Sequence, residues 1–243
     1  MEMIGILKRQ AVIVLLFNCF FPAMAVAQVG QFKLKQVLQD ANAGDISACA
    51  YLGKMYYEGT GVAQNYNEAF KWYQKAADNG VTGAYTWLGV MYYNGQGVAQ
   101  NYEKAFLWTK KAAENGAADA YVGLGVMYCK GQGVAQNYNE AFKWYQKAAD
   151  NGVASAFAYL GEMYYAGDGV AQNYNEAFKW FQKAADNGIT TGIYYFLADM
   201  FYTGKTGITD YSQAKKYAEL AIKNDTLDVV GHRILAKLYI HGY

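Results

Sequence analysis

The sequence predicts an all-α fold of repeated antiparallel helix pairs, and three observations lead there. The chain matches itself when shifted by 36 residues: Gly-Val-Ala-Gln-Asn-Tyr recurs at Gly61–Tyr66, Gly97–Tyr102, Gly133–Tyr138 and Gly169–Tyr174. Trp72, Trp108, Trp144 and Trp180 keep the same register. A period in this range is the signature of stacked-repeat architectures. Within one unit, Ala84, Leu88 and Met91 are spaced four and three apart, as on one helical face. Glycine and asparagine then punctuate every unit, with Gly95 closing a first helix and Asn115-Gly116 a second.

Taken in order, the chain opens with Lys8-Arg9, an apolar run from Ala11 to Phe21, Pro22 and small residues ending in Ala25-Val26-Ala27. Basic, apolar, small is the order of a secretory signal peptide, and the run is too short to span a bilayer. Residues 1–27 are therefore expected to be cleaved, leaving an exported chain, periplasmic or secreted, with no membrane span. An uncleaved anchor is the alternative. Phe17-Asn18 before Cys19 disfavours a lipid-modification box. Residues 28–47 read as a linker and capping helix, since 31–43 with Gly44 align with a second helix.

Five repeats follow at 48–83, 84–119, 120–155, 156–191 and 192–228. In the first four, Gly-x-Gly-Val turns the chain and Asn65, Asn101, Asn137 or Asn173 caps the second helix. Glu68, Glu140 and Glu176 stand three residues on, at capping-box spacing. The second helix is expected to bury Ala105, Trp108, Ala112 and either Phe106 or Tyr102. A mid-helix glycine costs about 1 kcal/mol against alanine, so its recurrence as Gly53, Gly89, Gly125 and Gly161 points to a packing need. The fifth unit carries an extra residue near Ile189–Gly192, and Asp210 replaces the capping asparagine. Residues 229–243 read as a sixth first-helix, a capping half-repeat that packs onto the fifth unit or meets another molecule.

The pattern A-x-x-x-L-G-x-x-Y-x-x-G-x-G-V-x-x-N-Y-x-x-A-x-x-W-x-x-K-A-A-x-x-G resembles the Sel1-like repeat, a relative of the tetratricopeptide repeat, over about residues 45–228. The resemblance implies a right-handed α-solenoid and an adaptor that holds another protein. It also implies that first helices line the concave face.

Composition narrows the partners. Cleavage after Ala27 removes two of 21 basic and one of 20 acidic residues, leaving 19 of each and no net charge. A chain without basic excess has nothing to release counterions from phosphates, which argues against nucleic acid. It argues equally against an electrostatic membrane binder. Cys49 and Cys129 lie 80 residues apart. At roughly 10 Å of advance per repeat they fall beyond the ~7 Å reach of a disulfide.

No catalytic residue, cofactor or metal site emerges. His232 and His241 are nine apart on one helix and do not share a face. Ser212-Gln213-Ala214-Lys215 matches S-x-x-K and Lys205-Thr206-Gly207 matches K-T-G. Their order is reversed relative to the serine enzymes that use them, and S-D-N is absent. The tryptophans are expected in the core.

The residues that change between copies concentrate on the first helices. Counting Ala48, Ala84, Ala120 and Ala156 as position one, position three includes Thr86. Position seven reads Lys54, Val90, Val126, Glu162, with Asp199 in the fifth copy. Position ten reads Tyr57, Tyr93, Cys129, Tyr165 and position eleven includes Glu58, Asn94 and Lys130. Steps of four, three and one place them on one helical stripe. Tyrosine mixed with charges of both signs suits a protein or peptide partner. The expectation is a monomeric, non-enzymatic scaffold binding through this stripe, with end-to-end association open. A β-lactam-active cell-wall protein and a carbohydrate-binding module are the alternatives.

Overall fold

Each repeat begins with a first helix that ends on a glycine in the left-handed conformation. In the computed structural model, which describes residues 33–224, 229–240 and 242, Gly59, Gly95, Gly131, Gly167 and Gly204 all hold φ between 65° and 83°. The backbone N–H of each bonds back to Met55, Met91, Met127, Met163 or Met200. Glutamine completes the closure. The side-chain amides of Gln64, Gln100, Gln136 and Gln172 donate to the carbonyls of Tyr57, Tyr93, Cys129 and Tyr165 across 2.7–2.9 Å. These bonds satisfy carbonyls that the helix end would otherwise leave open.

The helices are α1 (33–42), α2 (Ile46–Glu58), α3 (Tyr66–Asp78), α4 (Thr82–Asn94), α5 (Tyr102–Glu114), α6 (Ala118–Lys130), α7 (Tyr138–Asp150), α8 (Ala154–Ala166), α9 (Tyr174–Asp186), α10 (Ile193–Thr203), α11 (Tyr211–Asn224) and α12 (Val229–Ile240). No strand occurs among the described residues, so the fold is all-α. The helices form two compact units, one ending at Asn101 and one beginning at Tyr102. In the first unit α3 packs between α2 and α4; in the second each helix from α5 to α12 packs on its neighbours in sequence. The expected signal segment 1–27 lies outside the described residues. Among the described helices, none is long and apolar enough to cross a membrane.

Second helices start as expected in one respect and differently in another. Asn65 and Asn137 accept from the N–H of Glu68 and Glu140 at 3.1 Å, and Asn173 accepts from Glu176 at 3.1 Å. The reciprocal arm of a capping box does not form. The N–H of Asn65, Asn137 and Asn173 is already given to Tyr56, Tyr128 and Tyr164 of the preceding helix at 2.8–2.9 Å. The glutamates turn outward instead and pair with Lys71, Lys143 and Lys179 at 2.6–2.7 Å. Asp210 caps α11 through the N–H of Gln213 at 2.9 Å.

Ala84, Leu88, Met91, Ala105 and Ala112 are buried, as the spacing predicts. The tryptophans are not: Trp72, Trp108, Trp144 and Trp180 are half-buried, and so are Phe106 and Tyr102. The buried stripe of α3 runs Ala69, Tyr73, Ala76, which leaves Trp72 one residue off-centre at its edge. Lys75, Lys111, Lys147 and Lys183 lie 5.1–5.2 Å over the four indole rings. The large side chains sealed inside are Tyr73, Tyr145 and Phe181, each following its tryptophan.

Those rings account for the mid-helix glycines Gly53, Gly125 and Gly161. A Cβ on Gly53 would stand 2.6 Å from the Tyr73 ring, and one on Gly161 would stand 2.6 Å from the Phe181 ring. Each ring also lies parallel to a first-helix aromatic of the next repeat. The centroids are 5.7 Å apart for Tyr73–Trp87 and 4.6 Å for both Tyr145–Tyr159 and Phe181–Phe196. Thr109 and Gly123 replace one such pair, and a Cβ on Gly123 would lie 3.0 Å from the Thr109 methyl.

Helices cap the first repeat and the fifth. Ala41 on α1 is buried, and its carbonyl accepts from Lys75 at 2.9 Å. At the far end, Ile234 and Leu238 of α12 join Ala198, Ala214 and Ala218 in one cluster, so α12 packs on the fifth repeat. Tyr239 and Ile240 remain exposed. The extra residue of the fifth unit is absorbed by a longer loop between α9 and α10, where Gly192 precedes the helix with φ 76°.

Candidate partner-binding face

All thirteen stripe residues reach solvent. Lys54, Glu58, Asn94, Lys130 and Glu162 are exposed; Tyr57, Thr86, Val90, Tyr93, Val126, Cys129, Tyr165 and Asp199 are half-buried. The structure gathers them differently in the two units.

In the first unit Lys54 and Glu58 form an exposed pair at 3.8 Å, an arrangement that contributes little in water. Tyr57 packs on Tyr66 and Trp87, with centroids 5.1 and 4.6 Å away. Its hydroxyl donates to Gln96 at 2.9 Å, and Asn94 donates to the same oxygen at 3.3 Å. Burial raises the Tyr57 pKa, and the neighbouring Tyr66 adds to the rise. Thr86, Val90 and Tyr93 share α4 with Asn94 and line no described cavity.

In the second unit Val126, Cys129, Lys130, Glu162 and Tyr165 line one open cavity of about 530 Å³, a volume typical of ligand pockets. Tyr138, Tyr145, Tyr159 and Phe196 supply its aromatic walls. Burial raises the Cys129 pKa, and a hydrogen bond with Tyr145 only partly offsets it, so the sulfur is held as a neutral thiol. The Tyr145 hydroxyl is likewise pushed up by burial and held protonated. The Glu162 carboxylate reaches solvent but is crowded by the cavity wall, and this desolvation raises its pKa.

Beside the cavity, Tyr165 donates to Asp199 at 2.6 Å, and Lys205 pairs with the same carboxylate oxygen at 2.7 Å. Lys205 also contacts the Tyr165 hydroxyl and lies 4.4 Å over its ring. Burial alone would lower the Lys205 pKa, but its bonds to Asp199 and Tyr165 outweigh that and raise it. For Tyr165, burial and the Asp199 hydrogen bond raise the pKa to about 12.

Sequence reasoning missed position four of the first helix, which reads Tyr51, Trp87, Gly123, Tyr159 and Phe196. It varies as much as the stripe does, and that was the available signal; its aromatics resemble core. Asp168 and Lys205 were missed because they sit in loops.

The matches to serine-enzyme motifs have structural roles. Lys205 of K-T-G is held by Asp199 and Tyr165. Ser212 and Lys215 lie on the first turn of α11, with the Lys215 ammonium 5.0 Å over the Tyr239 ring. Among the described residues no group of three His, Cys, Asp or Glu could hold a metal ion. His241 lies outside those residues.

Comparison with known proteins agrees with the repeat structure. No curated protein sequence matches the chain. The solved structure of c5321, a protective antigen present in uropathogenic Escherichia coli strains, is 34% identical with a TM-score of 0.78. The match covers 86% of this chain but 44% of that one, so the chain spans less than half of the antigen's length. A Sel1 repeat protein from Oxalobacter formigenes is 32% identical over 85% of this chain and 89% of its own, with a TM-score of 0.69. Pseudomonas aeruginosa pilF, 14% identical with a TM-score of 0.63 over 88% of this chain and 96% of its own, shares the fold alone. The Sel1 repeat pattern matches residues 46–81, 82–116, 118–153, 154–189 and 194–225, and the chain therefore belongs to the Sel1 repeat family.

Proposed function

We propose that this protein is an exported, non-enzymatic scaffold that holds a protein or peptide partner against its first-helix face. Sel1 repeat proteins are typically scaffolds for protein–protein interaction. One observation carries the reading for this chain. The framework is nearly identical between copies, whereas the residues that differ are solvent-accessible on one helix face, and Val126, Cys129, Lys130, Glu162 and Tyr165 among them border a cavity with aromatic walls. Tyrosine and tryptophan dominate the energetics of protein interfaces. Export rests on the amino-terminal pattern of residues 1–27, and the E. coli relative's description as a protective antigen supports it.

The test is a photo-crosslinking residue placed at Val90 or Lys130, with exposed Leu107 on the second helix α5 as control, in the protein's own cells. The expected result is one dominant crosslinked protein from the first-helix positions and none from Leu107. Equal crosslinking from Leu107, or none from Val90 and Lys130, would overturn the assignment of this face. Fractionation of the same cells tests export: chain retained in the cytoplasm with residues 1–27 intact would contradict it.

A further inference from the structure

Cys129 holds the position occupied by Tyr57, Tyr93 and Tyr165 in the other repeats. In the first and fourth repeats that tyrosine fills a defined space. Tyr57 lies against Tyr66 and Trp87, and Tyr165 lies against Tyr174, Phe181 and Phe196 with centroids 5.0–6.4 Å away. The homologous residues in the third and fourth repeats are Tyr138, Tyr145 and Tyr159, and all three line the cavity. The cavity is thus the space left when tyrosine becomes cysteine.

Its polar surroundings correspond as well. The Tyr165 hydroxyl meets Asp199 and Lys205, at position seven and in the loop of the following repeat. One repeat earlier those two places are Glu162 and Asp168, both on the cavity wall. In the fifth repeat Lys205 neutralises Asp199 and covers the Tyr165 ring. In the fourth repeat an aspartate stands where that lysine stands. No hydrogen bond or ion pair engages the Glu162 or Asp168 carboxylate among the described residues. The lining therefore holds two carboxylates against one ammonium, that of exposed Lys130.

We propose that this cavity is a socket for a lysine or arginine side chain of a partner protein. The partner's cation does between the third and fourth repeats what Lys205 does between the fourth and fifth: it pairs with the acid and lies over a tyrosine ring. Aromatic faces attract such cations, and a guanidinium also forms paired hydrogen bonds to a carboxylate. The cavity wall partly desolvates the Glu162 carboxylate and raises its pKa, an effect that the attraction of an incoming cation would offset. The proposal rests on the scaffold reading and names the chemistry of its anchor.

The test titrates the full chain, with ¹³C-labelled tyrosine, with blocked pentapeptides Gly-Gly-Xaa-Gly-Gly in which Xaa is arginine, lysine or the neutral isostere citrulline. The expected result is that the arginine and lysine peptides shift the ring signals of Tyr138, Tyr145 and Tyr159, and the citrulline peptide does not. Glu162→Gln weakens binding about tenfold, and Cys129→Tyr, which refills the space, abolishes it. The conservative Glu162→Gln change keeps the test decisive where Cys129→Tyr perturbs folding, which circular dichroism monitors. Equal shifts from citrulline, or no shift from the basic peptides, overturn the socket. Crosslinking from Val90 and Lys130 separates the two readings. A captured partner unaffected by Glu162→Gln and Cys129→Tyr removes the socket and leaves the scaffold. Basic peptides that bind where no protein is captured remove the scaffold and, with it, a partner protein's side chain as the occupant of the socket.

Discussion

Gly161 on α8 faces the ring of Phe181 on α9 so closely that a Cβ there would stand 2.6 Å from two ring carbons. In the fifth repeat the same two places hold Ala198 and Ala218, both fully buried. In the fourth repeat glycine accompanies a ring, and in the fifth alanine accompanies alanine. The Phe181 ring cannot yield, because it lies parallel to Phe196 with centroids 4.6 Å apart. Gly161→Ala is therefore expected to destabilise by about 1–3 kcal/mol despite its gain in helix propensity. Phe181→Ala alone costs about 3–5 kcal/mol. The double substitution, which reproduces the fifth repeat, should cost less than the sum. Urea denaturation of the three variants measures the coupling, and strict additivity would show that the glycine has another purpose.

Two glycines with similar backbone angles should respond very differently. Gly152 and Gly169 have φ of 77° and 68°. A Cβ on Gly152 meets nothing within 4 Å, whereas one on Gly169 overlaps the Tyr138 carbonyl and lies 2.8 Å from the Asn139 nitrogen. Gly152→Ala should cost about 1–2 kcal/mol, the strain of the left-handed conformation. Gly169→Ala adds the clash between repeats, about 1–3 kcal/mol more. Comparable midpoints in thermal denaturation would contradict this ordering.

The caps of α7 divide unequally between its two residues. Asn137 accepts the Glu140 N–H at 3.1 Å, while the Glu140 side chain only pairs with Lys143 at 2.7 Å on the surface. Asn137→Ala is expected to cost about 1 kcal/mol, and Glu140→Ala a few tenths, roughly the value of an exposed helix pair. Equal losses on chemical denaturation would mean that the capping box closes in solution.

Stability should fall in alkali. The Tyr165 pKa rises from 10.0 to about 12 on folding, so the folded state holds the proton more tightly. Its contribution is fully present below pH 10 and is lost as pH climbs toward 12. Lys205, whose pKa is also raised, acts in the same direction above its ordinary 10.5. Tyr165→Phe should lower stability at neutral pH by about 1–2 kcal/mol and flatten the decline between pH 10 and 12. An unchanged slope would place the alkaline sensitivity in the other buried tyrosines.

Much of this molecule is legible in its sequence because a repeat states each structural requirement several times. The 36-residue period, the closing glycines and the alanines at helical spacing determined the helix pairs, their order and the identity of the inner face of the first helices. The accessible stripe was legible for the same reason, since positions that differ stand out against an identical framework, although Tyr57 and Tyr165 on it also pack against aromatic neighbours. Three things depended on how neighbouring helices meet. Tyr73, Tyr145 and Phe181 are sealed inside while the neighbouring tryptophans are not, because the helix stripe is centred one residue further on. Glu68, Glu140 and Glu176 do not complete their caps, because the preceding helix has already claimed the asparagine N–H. The cavity beside Cys129 exists because a missing tyrosine ring leaves its neighbours in place. Periodicity reports which residues share a face; only the tertiary structure decides which neighbour reaches each group and where a space stays open.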